Sequence, residues 1–153
     1  MILTDSTPTV FCTRTHRLID TIRLGETAQT ALSRLEAYGP DLTILPFQEA
    51  CERHEAAYKT EPMEISEAYW HEALNVLPPV AWHNTAAGES FKMSERTTGA
   101  VTAIYVRINA RHFTLSDDIR TPHAECVSRV LQSKAYRDGP EADNAGLDEP
   151  TRR

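Results

Sequence analysis

The chain has 153 residues, 41% of them hydrophobic and 25% charged, and a formal net charge of −6. That length fits one domain able to fold on its own core without a metal or disulfide staple. The negative balance argues against direct binding of a nucleic-acid backbone, which needs a basic footprint. No apolar run reaches the roughly 18–20 residues of a membrane span, so a soluble protein with no membrane contact is expected. Cys12, Cys51 and Cys126 are widely spaced with no Cys-x-x-Cys pair, and residues 1–12 lack a signal-peptide pattern. Both features point to reduced thiols and a cytoplasmic location.

Along the chain, Thr9 to Cys12 reads as a short strand or ordered arm. Arg17 to Leu24 carries Leu18, Ile19 and Ile22 at spacing compatible with a helix. From Thr27 the period is clearer: Ala28, Ala31, Leu32, Leu35 and Tyr38 share one helical face, and Gly39-Pro40 ends it. A second helix starts near Pro46, with Phe47, Ala50, Cys51, His54, Ala57 and Tyr58 as its inner stripe and Glu61-Pro62 as its close. Ser66 is an N-cap for a third helix, in which Trp70, Ala73, Leu74 and Leu77 form the buried face. Pro78-Pro79 stops it and sends an extended segment carrying Trp82 toward a sheet.

The period then changes from 3.6 to 2. Phe91 and Met93 alternate with Lys92 and Ser94, Thr97-Thr98-Gly99 is a turn signal, and Ile104, Val106 and Ile108 share one face of a strand. Asn109-Ala110 turns the chain into Arg111–Leu115, which makes a three-stranded meander. Thr121-Pro122 opens a last helix through Ala124, Val127, Val130 and Leu131. From Arg137 apolar residues almost vanish, so a disordered polar tail is expected.

The candidate chemistry is sparse. Cys51 and His54 lie at i, i+3 and share a helix face, which is half of a possible zinc site. Cys126, His123 or His112 would have to complete it, and a buried thiol and histidine in an apolar stripe are the preferred reading. His54-Glu55 and His71-Glu72 each lack the second histidine of a zinc-protease helix. Glu67 and His71 form an i, i+4 pair, best read as exposed. No phosphate-binding glycine loop or nucleophile elbow is present, and no cofactor is expected. The most polar stretch offers His83, Glu95, Arg107, Arg111 and His112 as weak catalytic candidates. With Lys92 and Arg96, the two later arginines would make a basic sheet face beside Tyr105 and Phe113, opposite Ile104, Val106 and Ile108. A solvated sheet face is the ordinary alternative.

Glu67, Tyr69, Leu77-Pro78-Pro79, Phe91-Lys92-Met93-Ser94-Glu95, Thr98-Gly99 and Arg111-His112-Phe113 together resemble a family of short proteins of unknown function. The family comes from rhizobia and agrobacteria and is often plasmid-encoded. The resemblance covers residues 67–113 and implies a bacterial, cytoplasmic accessory protein, with no activity to carry over.

The resulting expectation is an α+β fold. A small antiparallel meander at about residues 90–116 packs on helices of the N-terminal half and one C-terminal helix. Residues 1–136 form a single domain, followed by the polar tail 137–153. The leading function is a non-enzymatic interaction module with a protein partner. One alternative is a small enzyme with a polar site on the sheet. The other is an acidic mimic of nucleic acid, motivated by ten acids against three bases between Glu26 and Glu72.

Overall fold

The computed structural model describes residues 4–57, 60–76, 79–93 and 101–144. It is an α+β structure with two antiparallel sheets. The first sheet has the order β2-β1-β3, from β1 (Pro8–Cys12), β2 (Arg17–Thr21) and β3 (Leu42–Pro46). The second has the order β4-β8-β7-β6-β5, from β4 (Met63–Ile65), β5 (Pro79–Asn84), β6 (Glu89–Met93), β7 (Val101–Ile108) and β8 (Arg111–Asp118). The expected meander is the β6-β7-β8 part of this sheet. The extended segment after the third helix is its edge strand β5.

Arg17–Thr21 is a strand, where the apolar spacing had favoured a helix. The reason is burial on both faces. Leu18 packs with Phe11, Phe47, Ala50 and Cys51 on one side of the first sheet, and Ile19 joins the central core on the other. A strand buried on both faces loses the alternation that identifies it. Strand β3, on the other side of β1, went unread between two stronger helical patterns because its partly buried apolar residues divide between two clusters, Leu42 and Ile44 against the central core and Leu45 against Phe11, Leu18 and Phe47. Three-residue β4 is too short to show any period.

The helices follow their caps closely. α1 (Ala28–Arg34) starts at Thr27, whose hydroxyl accepts the Thr30 N–H at 3.1 Å, and a 3-10 turn over Glu36–Tyr38 extends it to Gly39. α2 (Phe47–Ala56) begins directly after Pro46. α3 (Glu67–Val76) is capped by Ser66, whose hydroxyl accepts the Tyr69 N–H at 3.0 Å. α4 (His123–Gln132) follows Pro122. A further helix, α5 (Lys134–Asn144), follows α4. Ser133 starts it, through a hydroxyl that accepts the Tyr136 N–H and a carbonyl that accepts the Arg137 N–H. Gly139 breaks the helical geometry at φ 68°. Tyr58, Leu77, Pro78, Ser94 to Gly99 and residues 145–153 lie outside the described residues.

Two cores clasp the second sheet. On one face Phe91, Met93, Ala103 and Tyr105 meet Trp70 and Tyr69 of α3, with Leu35 and Tyr38 and the first sheet beyond. On the other, Ile104, Val106, Ile108, Phe113 and Leu115 meet Cys126, Val127 and Val130 of α4. Trp70 is 1% exposed, with its ring 4.9 Å from Phe91. Gly88 lets the β5–β6 hairpin close on β7, since a Cβ there would stand 2.7 Å from Ile108 Cγ1 and 2.9 Å from the Arg107 carbonyl oxygen.

Candidate functional site

The expected basic sheet face does not form. Asn109 and Ala110 both adopt positive φ, at 52° and 64°, and make a two-residue turn that pairs Ile108 with Arg111. Paired residues share a face, so Arg111 and Phe113 lie with Ile104, Val106 and Ile108 and not opposite them. Arg107 pairs with His112 on the α3 side. Lys92 pairs with Ile104 and so lies on the α4 side. The period-2 count had run through the turn as if the strand continued. Arg96 and Glu95 lie outside the described residues.

The other candidates each have a definite place. Arg111 sends Nε and Nη2 to the Glu64 carboxylate at 3.1 and 2.9 Å and donates to the Tyr136 and Ala135 carbonyls. Its guanidinium stands 5.1 Å from both the Phe113 and Tyr136 ring centroids. This is a planar clamp joining β8, β4 and α5, of the kind that Lys cannot reproduce. Arg107 donates to Glu89 at 2.6 Å and lies 5.6 Å from the Trp70 ring centroid. His112 is buried against Trp70, with 4.9 Å between ring centroids. Burial lowers its pKa, and Glu67 pulls the other way. Glu67 and His71 themselves form an exposed pair at 3.2 Å.

His83 belongs to a cluster on the α4 side that the sequence did not reveal. Its ring stacks on His123, 5.6 Å between centroids at 14°. His123 Nδ1 and Ser90 Oγ share a hydrogen bond of 2.8 Å. Lys92 Nζ donates to the Ile119 carbonyl at 2.7 Å and to the Thr121 carbonyl. Burial first, then Lys92 and His83, lower the His123 pKa, so its ring is neutral at neutral pH. A hydroxyl on a neutral imidazole is the geometry of a nucleophile and its base. Ser90 is nevertheless fully buried on β6, where the bond ties the start of α4 to the sheet. The pair is 33 residues apart in the chain, so no local motif could mark it.

Cys51 and His54 are both buried on α2, in and beside the cluster of Phe11, Leu18, Phe47 and Ala50. The residues needed to complete a zinc site are elsewhere: His112 on β8, His123 and Cys126 on α4. Among the described residues, no three His, Cys, Asp or Glu side chains converge where a metal ion could sit. Burial pushes the Cys126 thiol up to about 11, so it is protonated at neutral pH and a poor nucleophile.

The accessible chemistry gathers at the β5 edge of the second sheet. Trp82 is 48% exposed, with its ring 4.7 Å from Phe91. Its register with Phe91 puts it on the same face as Asn84, Glu89 and Arg107. An exposed aromatic side chain on the same face as an Arg–Glu pair can stack on and hydrogen-bond a partner, whereas the buried groups have no such access. No described helix is long and apolar enough to cross a membrane.

The fold and this surface define a two-sheet α+β protein whose polar residues mostly lock its own elements together. The sequence profile of a family of proteins of unknown function, DUF1419, matches residues 46–134, more than half of the chain, and the chain belongs to that family. The matched segment runs from α2 to the start of α5. It includes the whole second sheet and contains residues 67–113, where the sequence resemblance was found. No curated protein and no solved structure matches the chain.

Proposed function

We propose that the protein is a non-enzymatic interaction module that binds a protein partner at the β5 edge around Trp82. The half-exposed Trp82, on the same sheet face as the Arg107–Glu89 ion pair, is the observation that supports this reading. Tryptophan and arginine dominate binding energy at interfaces because they combine large area with directional contacts. A tryptophan on an edge strand also has unpaired backbone groups beside it for a partner to use. The sequence resemblance extends the reading to a bacterial, plasmid-borne, cytoplasmic accessory protein.

A photo-crosslinking amino acid placed at Trp82, with a control at exposed Leu24, tests the proposal in cells. The expected result is a discrete adduct from position 82 alone, lost when Arg107→Glu is added. Identical adducts from both positions, or none, would overturn it.

A second reading, a small serine-dependent enzyme, draws support from the Ser90–His123 bond of 2.8 Å. A fluorophosphonate probe that labels Ser90, and fails to label it in His123→Ala, would favour this over the module. The third idea, mimicry of nucleic acid by the acidic stretch 26–72, is weakened by its internal pairing. Glu26 is held by Arg34, Glu49 by Arg53 and Glu64 by Arg111.

A further inference from the structure

Among the described residues the two sheets leave four edge strands, β2 and β3 in the first and β4 and β5 in the second. An open edge offers unpaired backbone groups to another chain, and proteins guard it with cover, prolines, charges or bulges. β2 is guarded: Arg17, Leu18 and Ile19 are buried, and its pairing with β1 shifts register. β4 has only three residues and lies against α5. β5 opens with Pro79 and shifts register between Pro79 and Ala81. β3 has none of these devices from Leu42 to Leu45, where its register with β1 is regular and no residue is charged.

Both faces of β3 are covered, by the central core at Leu42 and Ile44 and by the cluster of Phe11, Leu18 and Phe47 at Leu45. These residues are nevertheless only partly buried, whereas Val10, Phe11 and Cys12 of neighbouring β1 are fully buried. Their remaining exposure therefore lies along the free edge. The backbone at that edge is ordered for pairing. Thr13 donates its N–H to the Asp41 carbonyl at 2.8 Å, and Phe47 donates to the Thr7 carbonyl at 2.9 Å. These bonds bracket Cys12–Leu42 and Pro8–Pro46 as non-hydrogen-bonded pairs, and by alternation Val10–Ile44 is one as well. The N–H and C=O groups of Leu42 and Ile44 thus point away from β1 into the open edge. Pro46 ends the free set, because it has no N–H and its carbonyl opens α2.

We propose that β3 is the docking surface for a second copy of this chain, paired antiparallel about a two-fold axis at Thr43. Leu42 of each copy pairs with Ile44 of the other, which uses every outward N–H and C=O of both residues. Moving the axis to Leu42 or Ile44 leaves some of these groups unpaired. Thr43 meets its own equivalent across the axis, a favourable cross-strand pair. The charge pattern suits a like copy even though the chain carries −6. The strand itself is neutral, and Asp41 falls opposite Leu45 of the other copy. That puts the two Asp41 residues about 14 Å apart along the strands, beyond the roughly 8 Å screening length at physiological salt. The surface belongs to the first sheet, so this proposal and the one at Trp82 stand or fall separately.

The test is sedimentation velocity of the full chain over a range of about 5 to 500 µM, which covers the weak affinities of small interfaces. A monomer–dimer equilibrium with a Kd of about 10–100 µM is expected. Ile44→Pro deletes an outward N–H and no β1–β3 bond, and is expected to weaken the dimer at least about tenfold. Thr43→Lys and Thr43→Glu each set like charges on the axis and are expected to stay monomeric with unchanged circular dichroism. Mixing these two variants is expected to restore a dimer that holds one copy of each, and this charge swap decides the matter if Ile44→Pro does not fold. A natural chain that stays monomeric, a dimer left intact by Thr43→Lys, a mixture that fails to associate, or a dimer abolished by Trp82→Ala would each overturn the proposal.

Discussion

Trp70 and Trp82 sit on the same side of the second sheet and play opposite parts. Trp70 is enclosed by Phe91, Tyr105 and His112, with Arg107 over its ring. Trp70→Ala is expected to cost about 3–5 kcal/mol in chemical denaturation, the usual range for deleting a core aromatic. That is a large share of a total of about 5–15 kcal/mol. Trp82→Ala should cost less than about 1 kcal/mol, since its ring is half exposed. Equal losses would refute the division into core and surface. His54 supplies a pH dependence. Burial first, then the Arg17 charge, lowers its pKa from 6.5 to about 3. The unfolded chain therefore takes up the proton first. The contribution of neutral His54 is complete above about pH 6.5 and is lost as pH falls toward 3, at up to about 1.4 kcal/mol per unit. Carboxylates such as Glu26, held down to about 2 by Arg34, add their own loss at lower pH. Comparing stability against pH with His54→Phe isolates the histidine: the two curves should run parallel above pH 6.5 and diverge below it.

At the scale of elements, the β7–β8 turn decides which side chains meet. Both central residues are left-handed, which matches the twist of the two strands. Asn tolerates that region, but Ala110 at φ 64° meets steric cost between its Cβ and the backbone. Ala110→Gly is expected to stabilise the protein by about 1 kcal/mol, read as a higher denaturation midpoint at unchanged slope. An unchanged or lower midpoint would mean that the turn is not set as described. The same turn puts Arg111 on the α4 side, where its fork reaches Glu64 and the carbonyls that begin α5. One local geometry thus determines how β4 and α5 attach.

Across the whole molecule, the two sheets share one core. Val10, Cys12 and Ile19 from the first sheet, with Ile22 just past β2, pack with Phe91, Met93, Ala103 and Tyr105 of the second. Two buried polar bonds reach out from the first-sheet side: Thr15 to Tyr69 of α3 at 2.8 Å and Arg17 to Thr114 of β8 at 3.3 Å. Neither sheet can open without exposing the other, so a single unfolding transition is expected. Both tryptophans lie at the second sheet, whereas far-ultraviolet circular dichroism reports on both sheets. Coincident midpoints by fluorescence and dichroism would establish the coupling, and separated midpoints would show that the sheets unfold independently.

Local chemistry was enough to read the α+β class, the cap at Ser66, the helix break after α3, the meander and the burial of Trp70. Each depends on neighbours within a few residues, where periodicity and capping act. Strand β2 was hidden because burial on both faces erases alternation, β3 because its partly buried apolar residues pack to both sides, and β4 because three residues hold no period. The start of α5 was not legible because it is tied to β8 by the Arg111 bond to the Tyr136 carbonyl, a contact 25 residues apart. The candidate site was legible only in its residue types. The pairing of Ile108 with Arg111 separated the expected basic face, and tertiary packing alone joined Ser90 to His123 and brought His54 beside Arg17. Those relations depend on register and on long-range packing, and neither leaves a signal in the spacing of residues along the chain.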